Sequence, residues 1–340
     1  MKRLIAALLL ALILTGAVAA QDPTPDPLRP FTLDALRARD YAGGAIVVGD
    51  VLETTPSYTH RAFSYSSDGL TVTGVMNVPN GEGPFPVLVL LHGYYDRSTY
   101  WSGLGTWQEA DFFARQGFLT LAPDFRTWGG SNAGDNRFAS GLVSDTIHLI
   151  RSLPTLPAAD PDRVVIWGHS MGGGVATKVL AIEPRVRAGV LVAPNSADDA
   201  DLIARWGPAC RAGESEAAGD SCNPAESLDG LTAAEAEAYY AAASDADSLR
   251  ETSPLYQLDQ IEVPVQLHIG TADGASLVQT PPEWSYKLYE GLVSAGSDVE
   301  LYSYPGQGHF LTGQSWTDML LRALSFYDAA LRSPAAVSAP

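Results

Sequence analysis

The sequence predicts an α/β fold: one mostly parallel sheet, helices on both faces, and an antiparallel edge built from its N-terminal part. Three observations predict it. Short apolar runs at 87–91, 118–122, 163–167 and 188–192 read as strands buried on both faces. Helical stretches at 107–116, 141–153 and 174–182 separate them, so strand and helix alternate as in βαβ units. Ahead of the first buried run, 58–65 and 70–78 alternate apolar and polar residues and are joined by Ser67-Asp68-Gly69, a hairpin turn signal.

Taken in order, residues 1–20 read as a secretory signal peptide. Lys2 and Arg3 form its charged start, 4–14 its apolar core, and Val18-Ala19-Ala20 its small-residue cleavage site before Gln21. That core is shorter than the ~20 residues a membrane span needs. The expected product is therefore secreted or periplasmic, without a span once the signal is removed. Residues 21–57 form a lead-in and strap. The part at 21–30 is rich in Pro and Asp, 33–39 has a helical pattern, and 45–48 is an apolar stretch expected to pack on the core. The main domain is expected at 58–332. Within it, an acidic, alanine-rich insert at about 195–258 interrupts the alternation and carries a helix at 231–243. An insert after that strand is expected over the rim of the site, as a small cap. The alternation resumes with a strand at 263–269, a helix at 282–295, a strand at 299–304 and a helix at 315–331. A loose tail follows at 333–340.

The chain has 340 residues and is 46% hydrophobic, enough for one large core. It carries 39 acidic and 21 basic residues, a net charge of −18. That balance excludes nucleic acid and anionic membrane surfaces as expected partners. The only two cysteines, Cys210 and Cys222, read as a local disulfide in an exported chain. Two cysteines with no histidine nearby make no zinc site, and no metal or cofactor is expected.

The hexapeptide at 168–173, Gly-His-Ser-Met-Gly-Gly, contains G-x-S-x-G between a strand at 163–167 and a helix at 174–182. A serine on such a turn is held in a strained backbone with its hydroxyl above the sheet, and the glycines avoid clashes. This strand–turn–helix resembles the nucleophile elbow of α/β-hydrolases. A serine hydroxyl is a weak nucleophile and needs a base held by an acid. The resemblance implies the chain order Ser, acid, His. Of six histidines, His60, His92 and His148 precede the elbow and His169 lies within it. His268 sits inside a buried strand, where a hydrogen-bonded core role is expected. His309, in Tyr304-Pro-Gly-Gln-Gly-His309, has the right order and setting. Asp273, in Gly270-Thr-Ala-Asp273, follows the preceding strand and is the expected acid; Asp198, Asp199 and Asp201 are its rivals. The oxyanion hole needs two backbone N–H groups. Met171 supplies one. Tyr94, after His92-Gly93, is the candidate for the other, with a Tyr94 or Tyr95 hydroxyl able to assist.

These stretches, with Ala122-Pro-Asp-Phe-Arg126 and Gly130-Ser131, cover about 58–331. They resemble the α/β-hydrolase superfamily, and within it the catalytic domain of prolyl oligopeptidases and the dienelactone-hydrolase-like esterases. The resemblance implies a serine hydrolase working through an acyl-enzyme. The segment ahead of the 87–91 strand is too short for the oligopeptidase β-propeller, so a small-molecule or oligomeric carboxylic ester is the expected substrate. A short peptide is the alternative. Tyr95, Trp101 and Trp284 are substrate-pocket candidates, with Tyr100, Trp128 and Trp206 expected nearby.

Overall fold

The computed structural model describes residues 28–209, 223 and 225–333. Among them nine strands form one sheet: β1 (Val47–Thr54), β2 (Tyr58–Ser67), β3 (Leu70–Pro79), β4 (Phe85–Leu91), β5 (Leu119–Pro123), β6 (Ala159–His169), β7 (Val186–Val192), β8 (Val265–Gly270) and β9 (Val299–Tyr304). Their order across the sheet is β1-β2-β3-β5-β4-β6-β7-β8-β9. The pairs β1–β2, β2–β3 and β3–β5 are antiparallel. All pairs from β5–β4 to β8–β9 are parallel. The α/β architecture and its antiparallel N-terminal edge are as the sequence predicts.

The helices are α1 (Leu33–Ala38), α2 (Trp107–Arg115), α3 (Ser140–Ser152), α4 (Met171–Leu180), α5 (Asp199–Trp206), α6 (Ala233–Ala242), α7 (Ala246–Thr252), α8 (Pro282–Ala295) and α9 (Gly313–Arg332). The strict two-residue period of a strand divides the apolar runs between two cores. Val87, Val89, Leu91, Val164, Ile166, Leu191 and Leu267 face α3, α4 and α8. Leu88, Leu90, Val165, Trp167, Val190 and Val192 face α2 and α9 through Phe113, Met319 and Tyr327. Each such side chain contributes about 1.5–3 kcal/mol by leaving water. Among the described residues no helix is long and apolar enough to cross a membrane.

The strap differs from its expectation in one respect. Leu33, Leu36 and Ile46 are buried against the core, but Val47–Thr54 continues as a third antiparallel strand, exposed along its whole length. Neither of its faces is covered, so it lacks the alternation that marks β2 and β3. It is held by pairing with β2, and that pairing is interrupted on both sides of Val51.

The insert after β7 contains α5, α6 and α7. Tyr239, Ala242 and Leu249 pack there with Phe138 and Leu28 in a small core of their own. A buried ion pair ties it to the elbow helix: Lys178 Nζ of α4 lies 2.9 Å from Asp199 Oδ2, which also accepts from Thr252 Oγ1 at 2.6 Å. The expected signal peptide, most of the proline-rich lead-in, Cys210, Cys222 and the tail beyond Ser333 lie outside the described residues.

The parallel register positions the site. Leu91 pairs with Gly168, Gly168 with Leu191, Val192 with His268, and Gly270 with Tyr304. The carboxyl ends of β4, β6, β7, β8 and β9 are therefore level. The loops that leave them meet along one edge, where open α/β sheets hold their ligands.

Candidate active site

Ser170 links β6 to α4 with φ 55° and ψ −119°. A non-glycine residue there costs on the order of 1–3 kcal/mol. The surroundings enforce the strain. Ser170 N donates to Val192 O at 3.0 Å, and Ser170 O accepts from Gly174 N at 3.1 Å and Asn195 N at 2.9 Å. The flanking glycines are sterically required. A Cβ at Gly168 would stand 2.3 Å from Gly172 O, and one at Gly172 only 2.1 Å from Leu91 O. Met171 is the first residue of α4, so its N–H has no intrahelical acceptor and carries the positive end of the helix dipole.

Asp273 follows β8 and His309 follows β9. His309 Nδ1 lies 3.0 and 2.9 Å from the two Asp273 oxygens, and both side chains are buried. That contact puts the proton of the neutral ring on Nδ1 and leaves Nε2 its lone pair. Asp273 is held in turn. Oδ1 accepts from Gly274 N at 2.6 Å, and Thr280 Oγ1 stands 3.0 Å from Oδ2, 2.9 Å from Ala193 O and 3.3 Å from His309 Nδ1.

His169 connects the pair to the elbow. Its Nε2 donates to His309 O at 2.9 Å, and the two rings lie 4.6 Å apart. Burial, then the neighbouring His309, push its pKa down to about 3, so it stays a neutral donor at any working pH. No hydrogen bond joins His309 Nε2 to the Ser170 hydroxyl; in substrate-free hydrolases this contact is often long. The rival acids are engaged elsewhere: Asp198 and Asp201 with Lys287, Asp199 with Lys178. His268 is buried between Tyr304 OH and Gln266, a hydrogen-bonded core residue as expected.

The loop after β4 closes against the elbow. A Cβ at Gly93 would stand 3.2 Å from His169 Nδ1 and 3.3 Å from Ser170 Cβ, so the loop passes in close contact with the elbow just before Tyr94. The loop is fixed by Asp124, which is fully buried. It accepts from Tyr100 OH at 3.0 Å, Ser102 Oγ at 2.7 Å and Thr73 Oγ1 at 2.6 Å. Trp128, also buried, donates from Nε1 to Tyr95 O at 2.8 Å and meets the Tyr94 ring edge-on.

The three pocket candidates separate. Tyr95 lines a cavity beside His169, together with Trp107, Trp167, Phe310 and Trp316. Trp101 borders a second depression over β2 and β3, with Glu53 and His60. Trp284 is packed edge-on against Trp206, ring centroids 5.4 Å apart. Sequence reasoning missed Thr280, Trp107, Glu109 and Trp316 as site neighbours. Nothing in a single sequence marks a threonine seven residues after an aspartate, or the first turns of two helices 200 residues apart in the chain.

A strained residue on a strand-to-helix turn, above the carboxyl ends of a mostly parallel sheet, is the geometry of the α/β-hydrolase fold. The profile of the Alpha/beta hydrolase family matches residues 88–333, and the chain belongs to that family. It is 29% identical over 127 residues to the esterase FrsA of Shigella boydii serotype 18, a match that covers 37% of this chain and 29% of that protein. The chain thus spans less than a third of the curated relatives it matches. Acetyl xylan esterase 1 from Thermoanaerobacterium sp. JW/SL YS485 superposes with a TM-score of 0.60 at 22% identity, covering 92% of this chain and 96% of that one. A puromycin-hydrolyzing peptidase of Mycobacterium tuberculosis superposes with a TM-score of 0.60 at 20% identity, covering 83% and 41%. At these identities the solved structures share the fold.

Proposed function

We propose that the protein is an exported serine hydrolase that cleaves carboxylic esters through an acyl-enzyme, with Ser170, His309 and Asp273 as its triad. The observation that carries this reading is the strained Ser170 set at the α4 N-terminus beside the Asp273–His309 pair. His309 Nε2 takes the Ser170 proton as Oγ bonds to the substrate carbonyl carbon. The Met171 and Tyr94 N–H groups receive the negative oxygen. The tetrahedral intermediate collapses as the bond to the leaving alkoxide breaks, and His309 returns its proton to that oxygen. Water, deprotonated by His309, then attacks the acyl carbon and releases the acid and Ser170. Asp273 holds the ring and stabilises the imidazolium formed in each half.

An ester is preferred over an amide because its alkoxide leaves with less need of protonation than an amine. The relatives named as esterases agree with that choice, and the puromycin-hydrolyzing neighbour keeps a small peptidase as the second reading. The insert, joined to α4 by the Lys178–Asp199 pair, serves as a cap over the rim.

The test is labelling with a fluorophosphonate. The wild-type protein is expected to be modified at Ser170. Ser170→Ala is expected to resist labelling and to lose turnover of short acyl esters by on the order of 10⁶-fold. A folded wild type that does not label, or a Ser170→Ala variant with near-normal turnover, overturns the reading.

A further inference from the structure

Glu109 is an acid where helix α2 should bury apolar groups. Thr106-Trp-Gln-Glu109 has the spacing of a capping box, which would explain it. The box is not formed. Thr106 makes no side-chain cap, and both its N–H and its hydroxyl donate to Gly103 O at 3.1 Å. The Glu109 carboxyl turns inward instead, where its Oε1 accepts from Trp316 Nε1 of α9 at 3.2 Å. The residue is 7% exposed, and among the described residues no arginine, lysine or histidine pairs with it. Burial pushes its carboxyl above the ordinary carboxylate range.

Glu109 lines the cavity beside His169, which encloses about 330 Å³. Five aromatic side chains, Tyr95, Trp107, Trp167, Phe310 and Trp316, share its walls with aliphatic residues such as Leu104 and Val192. Elsewhere in the protein arginines lie over tyrosine, tryptophan and phenylalanine rings, yet among the described residues none covers any of these five. Trp107 and Phe310 leave more than half of their surface open, 53% and 57%. Trp167 is buried, and among the described residues its indole N–H has no acceptor. The cavity therefore offers aromatic side chains and a buried acid without a cationic partner among the described residues to a cation. His169 and Phe310, the chain neighbours of Ser170 and His309, form the wall toward the site.

We infer that this aromatic box is a subsite for a cationic ammonium group, and that the substrates are esters carrying such a group close to the scissile bond. The inference rests on the serine-esterase reading for its catalytic half only. Ring faces attract ammonium by their quadrupoles, and a desolvated carboxylate adds full charge. The net charge of −18 favours the arrival of cations over anions.

The experiment uses an isosteric pair, acetylcholine and 3,3-dimethylbutyl acetate, which differ in one positive charge. The full chain is expected to favour acetylcholine by about tenfold or more in kcat/KM. Glu109→Gln is expected to bring the ratio close to one while still hydrolysing the neutral ester. Independently, tetramethylammonium and methylammonium are titrated against tryptophan fluorescence. Saturable quenching by at least one is expected in the wild type and in Ser170→Ala, weakened about tenfold in Glu109→Gln. Trp107→Leu, at an exposed position, serves if Glu109→Gln does not fold. A ratio of one in wild type, a ratio that survives both substitutions, or the absence of saturable quenching overturns the subsite. If neither ester is turned over and Ser170 does not label, the esterase reading fails and the titration decides the box alone.

Discussion

Among the described residues two aspartate–histidine pairs have nearly the same length. Asp68 and His148 meet at 3.0 Å under the N-terminal edge of the sheet, and Asp273 and His309 at 2.9 Å at the carboxyl ends of β8 and β9. Their surroundings differ. Asp68 also receives Arg39 and Arg126, and His148 Nδ1 contacts Ala42 O at 3.1 Å. Arg126 itself is held by Asp145 at 2.8 Å and by Asp135 O at 3.0 Å. Every ring nitrogen and charge in that cluster is occupied, and it joins β2, α3 and the loop after β5. In the second pair the carboxylate is also saturated, but His309 Nε2 has no partner among the described residues, and its neighbour across His169 is the strained Ser170. An Asp–His pair is thus no sign of chemistry by itself. In the proposed site, the difference is an unoccupied ring nitrogen near an enforced backbone strain.

The comparison breaks most sharply at Asp273. Asp273→Asn is expected to lower kcat on esters by about 10⁴-fold, because the amide favours the wrong imidazole tautomer, with little change in thermal unfolding. A variant that keeps its rate places the chemistry elsewhere. Arg126→Met should give the opposite pattern. Asp145 is fully buried and would lose its charge partner, so stability is expected to fall by about 3–5 kcal/mol in urea unfolding. Turnover per folded molecule should be unchanged, and a rate loss in the folded fraction would mean that the two clusters are coupled.

The smallest effect is the most specific. Burial alone would raise the Asp68 carboxyl, but hydrogen bonds from His148 and Arg126 and the charge of Arg39 outweigh it and hold it well below the usual range. A depressed folded-state pKa adds stability above the unfolded value, near ~4, and loses it as pH falls through the folded value. Asp68→Asn should therefore cost about 1.5–3 kcal/mol at neutral pH. Its deficit in Tm against wild type should be flat from roughly pH 5 to 8 and narrow below about pH 4. A deficit that widens in acid contradicts this account.

Much of the site was legible because its parts sit where local rules are strict. G-x-S-x-G between an apolar run and a helix needs glycines for steric reasons that hold wherever the motif folds, and the clashes at Gly168 and Gly172 are those reasons in this chain. Asp273 and His309 stood out because each follows a buried strand in the required order. β1 was read only as a strap because its residues are exposed on both faces, which removes the periodic signal that marks β2 and β3. Asp68 and His148 could not be told from ordinary polar residues, since their meaning comes from arginines 29 and 58 positions from Asp68.

By itself the sequence determined the alternation of strands and helices, the strained turn at Ser170 and the chain order of serine, acid and histidine. Burial, steric exclusion and turn geometry act within a few residues, so they leave a local trace. The tertiary structure alone decided that Thr280 braces Asp273, that His169 holds the His309 backbone, and that Glu109 faces Trp316 instead of capping its own helix. Those are contacts between residues 7, 140 and 207 positions apart. Sheet order and helix packing bring them together, and no short stretch of chain encodes either.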